Sequence, residues 1–320
     1  MNKKFIDTLK SQKKKIVVVG SANVDIVARV PRLPKEGESF RGESLSIVFG
    51  GKGANQAVSL ARLGADINFI SCVGKDHFGR SMKKGFKDEG IPINTIKETP
   101  DAFSGTALIF VDKDGKNSIV VIAGANHELK PEDIIRQEKI FQKGDILLTQ
   151  LELLPETIET ALILAKKNGM ITIVDAGPPR NISKHIFPYI DVISPNETET
   201  EFLTGMNPSK SENRLKCAEK FLKMRVSSVV LKLGSQGCYY NDGKFEIYAP
   251  SYKVPVVDTT AAGDAFTSAL AFAWGQAEID EVLDFANAVG ALACTKFGAQ
   301  PSMPHLDEVQ KFLKKHKKWK

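Results

Sequence analysis

Apolar residues in this chain form short β-branched runs that alternate with segments in which apolar positions recur every three or four residues. The first run covers Ile16–Val19 and ends at Gly20, which is typical of a strand buried on both faces of a parallel sheet. Further runs follow in DILLTQL, ITIVDAG, DVISPN and VVLKLGSQG, and PETIETALILAKKNG predicts a helix that ends at Gly169. Repeated strand and helix units predict an α/β fold, with a central, mostly parallel sheet and helices on both faces.

Two stretches break this alternation. From Asp25 to Phe49, and again across TALIFVDKDGKNSIVVIAG, apolar and polar positions alternate as in half-exposed strands, and Asp114-Gly115 is a typical hairpin turn. We expect the insertions around residues 26–49 and 103–124 to form one small β-sheet that projects from an α/β domain spanning residues 16–310. A long helical pair is predicted over roughly residues 262–296.

The charge of the chain is concentrated at its two ends. The net charge is +6, but residues 1–15 contain six lysines and one aspartate, and residues 311–320 contain six lysines and no acid. We interpret both ends as solvated basic tails. The part between them is mildly acidic, which argues against nucleic-acid binding because a phosphate backbone needs a continuous positive face.

Composition narrows the class of protein further. No apolar run approaches the ~18 residues that cross a bilayer, so no membrane association is expected. The four cysteines are far apart, which suggests neither a zinc site nor a disulfide framework, and reduced thiols predict a cytoplasmic protein.

The residues after the first strand are the first candidates for ligand contacts, because ligands bind beyond the carboxyl ends of parallel strands. Positions two apart in an extended chain point the same way, so Asn23 and Asp25 present an amide and a carboxylate together, a pair suited to adjacent hydroxyl groups. A turn that uses both side chains for local backbone bonds is the alternative interpretation.

The segment FGGKGANQA resembles a phosphate-binding loop but lacks the Ser or Thr that should follow Lys52. The residues after it predict a helix, so the glycines form a strand-to-helix turn. Such a turn exposes backbone N–H groups, and Lys52 and Asn55 add donors, which suits a polyhydroxyl ligand. Glycines that serve only tight packing are the alternative.

The segment VDTTAAGDAFTSALAFAWG carries the clearest chemical signal. Ala261, Ala262 and Gly263 precede an apolar helix, whose unpaired N–H groups and positive dipole end predict an anion site. Asp264 lies in the first turn, where it could simply cap the helix. A carboxylate beside an anion site is also what phosphoryl transfer to a hydroxyl needs, and we expect the dipole to keep Asp264 ionised.

Taken together, GSANVD, FGGKGANQA, SPNETE, LGSQG and DTTAAGD resemble the PfkB-type carbohydrate kinase family named after ribokinase. The resemblance runs from about Ile16 to about Met303. It implies a ribokinase-like fold with ATP-dependent phosphorylation of a sugar's primary hydroxyl, with D-ribose at O5 as the expected acceptor. It also implies Mg²⁺, a role for the small β-sheet as a lid that covers the sugar, and a homodimer formed through this lid.

The resemblance assigns roles to individual residues. Asp264 is implied to be the catalytic base, and the anion hole is implied to comprise Ala261, Ala262 and Gly263. The implied sugar contacts, besides Asp264, are Asn23, Asp25, Gly51, Lys52, Gly53, Asn55 and Glu152. Glu199 is implied to bind Mg²⁺ through water, and the implied nucleotide contacts are Asn196, Lys232, Gly234, Ser235, Gly237, Gly263 and Asn287.

Similar enzymes also hold an activating monovalent cation, usually K⁺, beside the anion hole. The implied ligands here are Asp258, Thr260, Ala293, Lys296, Gly298 and Ser302, mostly through backbone carbonyl groups.

Three positions depart from the family pattern. Asp175-Ala176-Gly177-Pro178 replaces Asn-Pro-Ala-Pro and is closer to the Asp-containing version of fructokinase-like relatives. Lys232 stands where Thr is usual, and Asn287 stands where His often faces the adenine.

Other functions stay open as alternatives. A kinase acting on another sugar or on a nucleoside fits the same motifs, because pocket shape decides the acceptor. A non-catalytic sugar-binding regulator would retain Asn23, Asp25 and Lys52 without needing Asp264. A nicotinamide-dependent dehydrogenase would need Gly-x-Gly-x-x-Gly after the first strand, which the segment from Gly20 to Asp25 does not match.

Overall fold

A large sheet covered by helices forms the centre of the molecule, as the alternating strand and helix patterns predict. The structure is a computed structural model that describes residues 3–11 and 13–316. The strands are β1 (Lys15–Val19), β2 (Asn23–Arg29), β3 (Ser44–Gly50), β4 (Asp66–Gly74), β5 (Ile96–Thr99), β6 (Gly105–Val111), β7 (Asn117–Ile122), β8 (Ile146–Gln150), β9 (Ile171–Asp175), β10 (Val192–Ser194), β11 (Ser228–Lys232), β12 (Cys238–Asn241) and β13 (Glu246–Ala249). The α-helices are α1 (Lys3–Ser11), α2 (Lys52–Leu63), α3 (His77–Asp88), α4 (Pro131–Ile135), α5 (Glu138–Phe141), α6 (Pro155–Lys167), α7 (Glu197–Thr204), α8 (Ser211–Lys223), α9 (Ala262–Ala273), α10 (Ile279–Ala293) and α11 (Leu306–Lys315).

Within the described residues the main sheet has the strand order β13-β12-β11-β10-β9-β8-β1-β4-β5. All neighbours from β11 to β5 pair in parallel, and β12 and β13 add an antiparallel edge. The carboxyl ends of β1, β8, β9, β10 and β11 therefore lie at the same end of the sheet, where open parallel sheets bind ligands.

Strand β1 shows why its sequence is an unbroken apolar run. Ile16 and Val18 belong to a core that includes residues of α2, α9 and α10, whereas Val17 and Val19 belong to a second core with residues of α6 and α8. None of these four side chains is more than 1% exposed. Burying each of them contributes about 1.5–3 kcal/mol, so both faces of the strand favour apolar residues.

The two insertions form a second sheet with the strand order β3-β2-β6-β7. Strands β2 and β3 pair antiparallel, as do β6 and β7, and the parallel pairing of β2 with β6 joins the two hairpins. The second hairpin turns as predicted: Asp112 N–H donates to the Lys116 carbonyl at 3.0 Å, and Gly115 has φ 78°.

The predicted N-terminal tail is wrong for the segment that the structure describes, because residues 3–11 form α1. Phe5 is 3% exposed and Leu9 is 1% exposed, and the Phe5 ring meets the Phe285 ring edge-on with centroids 5.9 Å apart. Residues four apart share one face of a helix. The lysine-rich sequence of this segment therefore includes a short apolar stripe, which packs on the core and holds the helix there.

The predicted C-terminal tail is also partly corrected. Helix α11 continues to Lys315, and Phe312 and Leu313 pack against the core. Residues 317–320 of the predicted tail, like residues 1, 2 and 12 of the N-terminal one, lie outside the described residues. Among the helices of residues 3–11 and 13–316, none has both the length and the apolar character needed to cross a bilayer.

Candidate active site

The glycine-rich turn before α2 has a structural cause at two positions. Gly51 has φ 86°, a left-handed conformation that favours glycine. A Cβ at Gly53 would lie 2.5 Å from the backbone of Gly20 and Ser21, so this glycine lets α2 approach the end of β1. Backbone conformation at Gly51 and tight packing at Gly53 therefore account for the two glycines, and their contact with a sugar stays a prediction.

Asp264 lies in the first turn of α9 and faces α2. Its carboxylate accepts a hydrogen bond from Asn55 Nδ2 at 2.9 Å and lies 3.5 Å from Lys52 Nζ. Asp264 is 4% exposed, and burial raises its pKa, while Lys52 opposes that rise. The helix dipole predicts an ionised Asp264, but burial, which depends on tertiary contacts, acts in the other direction.

Two polar groups beside Asp264 are free to meet a ligand. Asn55 Oδ1 is buried, and no donor in the described chain bonds it. No side chain or backbone donor among residues 3–11 and 13–316 bonds the Asp25 carboxylate either. Buried polar atoms are nearly always satisfied, so Asn55 Oδ1 is suited to accept a hydrogen bond from a ligand hydroxyl. The half-buried Asp25 carboxylate is available to accept another.

Asp25 lies close enough to Glu152 and Asp264 for their negative charges to affect its pKa. Burial raises the pKa of Asp25 to about 6, and the negative charges of Glu152 and Asp264 add to the rise. Glu152 is held in place, since its carboxylate accepts bonds from the Ser21 hydroxyl and from Lys52 N–H, the latter at 3.0 Å. Burial raises the pKa of Glu152 too.

Asn23 is oriented by a residue that sequence reasoning missed. Asn126 donates from Nδ2 to Asn23 Oδ1 at 2.7 Å and accepts from Ala22 N–H at 2.8 Å. Asn126 follows β7 and is separated from Asn23 by 103 positions. A single polar residue in a loop carries no signal of such a contact in the sequence.

The start of α9 has the geometry of an anion site, with one correction. Ala261 has φ 59°, and Ala262 N–H donates to the Thr259 carbonyl at 3.2 Å. The amide of Ala262 is therefore not unpaired, as the sequence had suggested. The amides of Gly263 and Asp264 have no acceptor among the described residues, so these two N–H groups at the positive end of the dipole can bind an anion.

A buried polar network lies beneath Asp264, and the sequence indicated only parts of it. Asp175 accepts hydrogen bonds from Lys232 Nζ at 2.9 Å, Thr267 Oγ1 at 2.8 Å and Gln56 Nε2 at 3.1 Å. Although burial opposes it, Lys232 and Lys52 hold the pKa of Asp175 below its usual value. Gln56 and Thr267 occupy positions that the apolar periodicity of their helices assigns to the core. The sequence pattern therefore does not indicate that they hydrogen-bond to Asp175.

Several of the predicted nucleotide residues lie at the same end of the sheet. Asn196 follows β10, and Gly234, Ser235 and Gly237 follow β11. Asn196 caps α7, with its N–H donating to Glu199 Oε2 at 2.7 Å and its Oδ1 accepting from Glu199 N–H at 2.8 Å. Gly234 and Ser235 form an exposed turn after β11, with Gly237 buried at its end. The Asn287 amide is buried and donates to the Ala249 carbonyl at 3.1 Å.

The predicted cation ligands converge only in part. Asp258 accepts from Thr260 N–H at 2.9 Å and from Gly298 N–H at 2.9 Å, which joins the segment before α9 to the segment after α10. The Lys296 ammonium points away, to Glu308 at 2.7 Å, and Ser302 Oγ donates to the Ala299 carbonyl at 2.7 Å. The ammonium of Lys296 and the hydroxyl of Ser302 thus bond to other groups. Only the backbone oxygens of these two residues could act as cation ligands.

The fold and site together define a phosphotransferase of the α/β class: a parallel sheet with helices on both faces and, at its carboxyl end, a carboxylate beside an anion-binding helix start. The chain belongs to the family described as pfkB family carbohydrate kinase, whose model matches residues 13–306.

Curated relatives and solved structures agree with this family. Ribokinase of Haemophilus influenzae is 39% identical over 94% of this chain and 99% of its own length. Deoxyribokinase of Salmonella typhi is 32% identical over 93% of this chain and 98% of its own length. The structure of Arabidopsis thaliana ribokinase, complexed with ribose and ATP, is 35% identical, superposes with a TM-score of 0.89 and is similar over 95% of this chain and 99% of the other.

Proposed function

We propose that this protein transfers the γ-phosphoryl group of ATP to the O5 hydroxyl of D-ribose and releases ADP and ribose 5-phosphate. The observation that carries the proposal is the position of Asp264, which pairs a buried carboxylate with two free amides at one helix start. The similarity to ribokinases over nearly the whole chain supports ribose as the acceptor.

Asp264 is the base in this mechanism. It takes the proton of O5 as that oxygen attacks the γ-phosphorus, and the bond from this phosphorus to the β–γ bridging oxygen breaks, leaving ADP. The N–H groups of Gly263 and Asp264 stabilise charge on the moving phosphoryl group. Lys52 stabilises the ionised form of Asp264 before the transfer, since its ammonium lies 3.5 Å from the carboxylate.

The sugar is oriented by polar groups around Asp264. Asn23, Asp25, Asn55 and Glu152 accept hydrogen bonds from hydroxyl groups or donate to sugar oxygens, and Asn55 Oδ1 gains the partner that it lacks in the free protein. A hydroxyl missing from the acceptor leaves such a buried atom unpaired, which costs about 1–3 kcal/mol.

Mg²⁺ fits this site through water rather than by direct ligation. Both oxygens of Glu199 accept hydrogen bonds from Asn196, and Glu199 is 2% exposed. Mg²⁺ releases its water reluctantly, so Glu199 and Asn196 would hold it by its water shell. When bound, the ion neutralises phosphate charge as the phosphoryl group moves.

A monovalent cation such as K⁺ fits next to α9. Asp258 would supply a carboxylate, and backbone oxygens of Thr260, Ala293, Lys296, Gly298 and Ser302 would supply neutral ligands. This donor set of oxygen atoms suits a weakly hydrated cation. Its positive charge would favour an anion at the amides of Gly263 and Asp264.

The lid favours pairing of two protomers. Ile47, Ile26, Leu108 and Val120 form one row across it by register, and Ile47 and Val120 are 52% and 56% exposed. A contiguous apolar face of this kind needs a cover, and a second copy of the same lid is the cover that we propose.

Deoxyribose is the second acceptor to consider, because a deoxyribokinase is similar over nearly the whole chain. The test is ADP release from the purified protein with ATP and Mg²⁺ across ribose, deoxyribose, fructose, glucose, adenosine and no acceptor. Each reaction is run with K⁺ and with a large organic cation in its place.

Ribose-dependent turnover that rises with K⁺ is expected. A higher kcat/KM with another acceptor would keep the mechanism and replace ribose as the substrate. Turnover that is absent with every acceptor would refute the kinase and revive a sugar-binding regulator.

A further inference from the structure

Two charged residues below the base have no step in the proposed reaction. Asp175 ends β9 and Lys232 ends β11, with β10 between them. Their charged atoms are 2.9 Å apart, and the side chains are 0% and 8% exposed. The two side chains thus form a complementary buried pair.

The pair lies next to a shared ammonium group. Lys52 Nζ is 3.5 Å from Asp264 Oδ1 and 3.8 Å from Asp175 Oδ1. Of the cationic side chains in the described chain, only Lys52 and Lys232 come within 4.0 Å of Asp175. Because an unpaired buried carboxylate is costly, loss of Lys232 would leave Asp175 to compete with Asp264 for Lys52.

The hydrogen bonds around Asp175 separate its two oxygens. Oδ2 accepts from Lys232, Thr267 and Gln56, while Oδ1 accepts from Gly177 N–H at 3.3 Å and faces Lys52 at the longer distance of 3.8 Å. Gln56 is itself fixed by Gln150, which donates to Gln56 Oε1 at 2.6 Å. Lys232 thus pairs with one oxygen of Asp175 and Lys52 faces the other. Lys52 Nζ lies closer to Asp264 than to Asp175.

We propose that Asp175 and Lys232 act as one unit that keeps the Lys52 ammonium directed to Asp264. Lys232 is then a positioning residue for the base, acting through Asp175 and Lys52. This inference rests on the proposed phosphoryl transfer with Asp264 as base. The other charged groups that face this region are Glu152, Asp25 and Glu199, all of them carboxylates.

The test compares Lys232→Met, Asp175→Asn and the double variant, with kcat, KM for ATP and the calorimetric Kd of ribose as readouts. In Lys232→Met we expect kcat to fall at least tenfold while ribose Kd changes less than twofold, because Asn23 and Asp25 are untouched. Asp175→Asn, added to Lys232→Met, removes the competing charge and should recover most of kcat. Lys166→Met is the matched control, since it breaks a pair with Asp191 (2.8 Å) at the other end of the sheet and should leave all three readouts unchanged.

Two results would overturn the inference. One is a folded Lys232→Met variant with unchanged kcat. The other is a double variant as slow as Lys232→Met with a raised KM for ATP, since Lys232 would then act directly on the nucleotide.

Inactive wild-type protein would refute the proposed function separately. In that case equilibrium urea unfolding of the same variants tests whether Asp175 and Lys232 act as one unit. A lowered midpoint in Lys232→Met that Asp175→Asn restores supports the unit, and a midpoint that is not restored refutes it.

Discussion

Asp264 shows how a single carboxylate is prepared by its surroundings. It sits at a helix start, which favours its charge, in a buried position, which opposes it, with Lys52 at 3.5 Å as the compensating cation. In the proposed reaction Asp264 would gain and lose a proton without leaving its place, and the bond from Asn55 holds the carboxylate there.

We predict that Asp264→Asn lowers kcat by about 10²–10⁴-fold, the usual contribution of a positioned base. The ribose Kd should change little, because the amide retains the size of the carboxylate. Steady-state turnover and calorimetric ribose binding measure the two effects. Asp66→Asn, at an exposed position on β4, is the control, and near-normal turnover of a folded Asp264→Asn protein would remove Asp264 from its assigned role.

Because its pKa is raised to about 6, we expect Asp25 to influence both the affinity for ribose and the stability of the folded protein. A carboxyl group whose pKa is raised on folding binds protons more tightly in the folded state, so its contribution to stability falls as pH rises from about 4 to about 6. Above that range the ionised Asp25 destabilises the free protein, and in the proposed function ribose hydroxyls would relieve this by donating to it.

Asp25→Asn should therefore raise the free energy of unfolding by about 1–2 kcal/mol at pH 7.5 and by almost nothing below pH 4. Ribose affinity should fall at least tenfold, since charge-assisted hydrogen bonds are lost. Urea unfolding at the two pH values and calorimetry at pH 7.5 test this, with Glu36→Gln at an exposed lid position as control. A gain in stability that is equal at both pH values would contradict the assigned cause.

At the scale of elements, the site depends on how closely α2 approaches β1. Gly53 and Gly20 are in direct backbone contact, which brings Lys52 and Asn55 to the carboxyl end of the sheet and within reach of α9. Neither helix alone forms the site. Its geometry follows from the packing of α2 and α9 against one another and on the same face of the sheet.

Gly53→Ala should destabilise the fold by at least about 2 kcal/mol, because the added Cβ meets backbone atoms that cannot move aside. Gly85→Ala in α3 is the matched control: its Cβ would approach no atom closer than 3.4 Å, and alanine is the better helix former. Urea unfolding gives both values. Equal stability of the two variants would show that the contact between α2 and β1 is loose.

At the scale of the whole molecule, the lid leaves apolar residues exposed in the single chain. Leu45 shares the face of Ile47 and Val120 by register, whereas Ile119 and Val121 alternate with Val120 and lie on the opposite face; all five are more than half exposed. Exposed sheet edges and apolar faces of this kind are usually protected by pairing. Since Asp25 lies on β2 of the same sheet, pairing of lids would also restrain a sugar contact.

We predict a dimer in solution that Val120→Lys converts to a monomer, because a lysine in the apolar row would have to lose its hydration. Sedimentation velocity at micromolar concentration reports the state directly. Asp114→Lys, in the exposed turn of the same hairpin, should remain dimeric. Monomeric wild-type protein would exclude the lid as a self-association surface.

Much of this molecule is determined locally by its sequence. The β-branched runs, the helix periodicity and the Asp114-Gly115 turn predicted the α/β domain and the lid, because backbone preferences and burial patterns act over a few residues. Asp264 at a helix start and Asn23 next to Asp25 were found for the same reason: each motif carries its chemistry within a short segment.

Other features depend on contacts that join distant parts of the chain. The bond from Asn126 to Asn23, the pair of Asp175 with Lys232 and the position of Lys52 between Asp175 and Asp264 each join residues that are 57 or more positions apart. Burial of Phe5 and Leu9 overrode a lysine-rich composition, and burial of Asp264 overrode the helix dipole. Burial and pairing are sums over neighbours in space, so only the tertiary structure decides which charges are compensated and which remain available to a ligand.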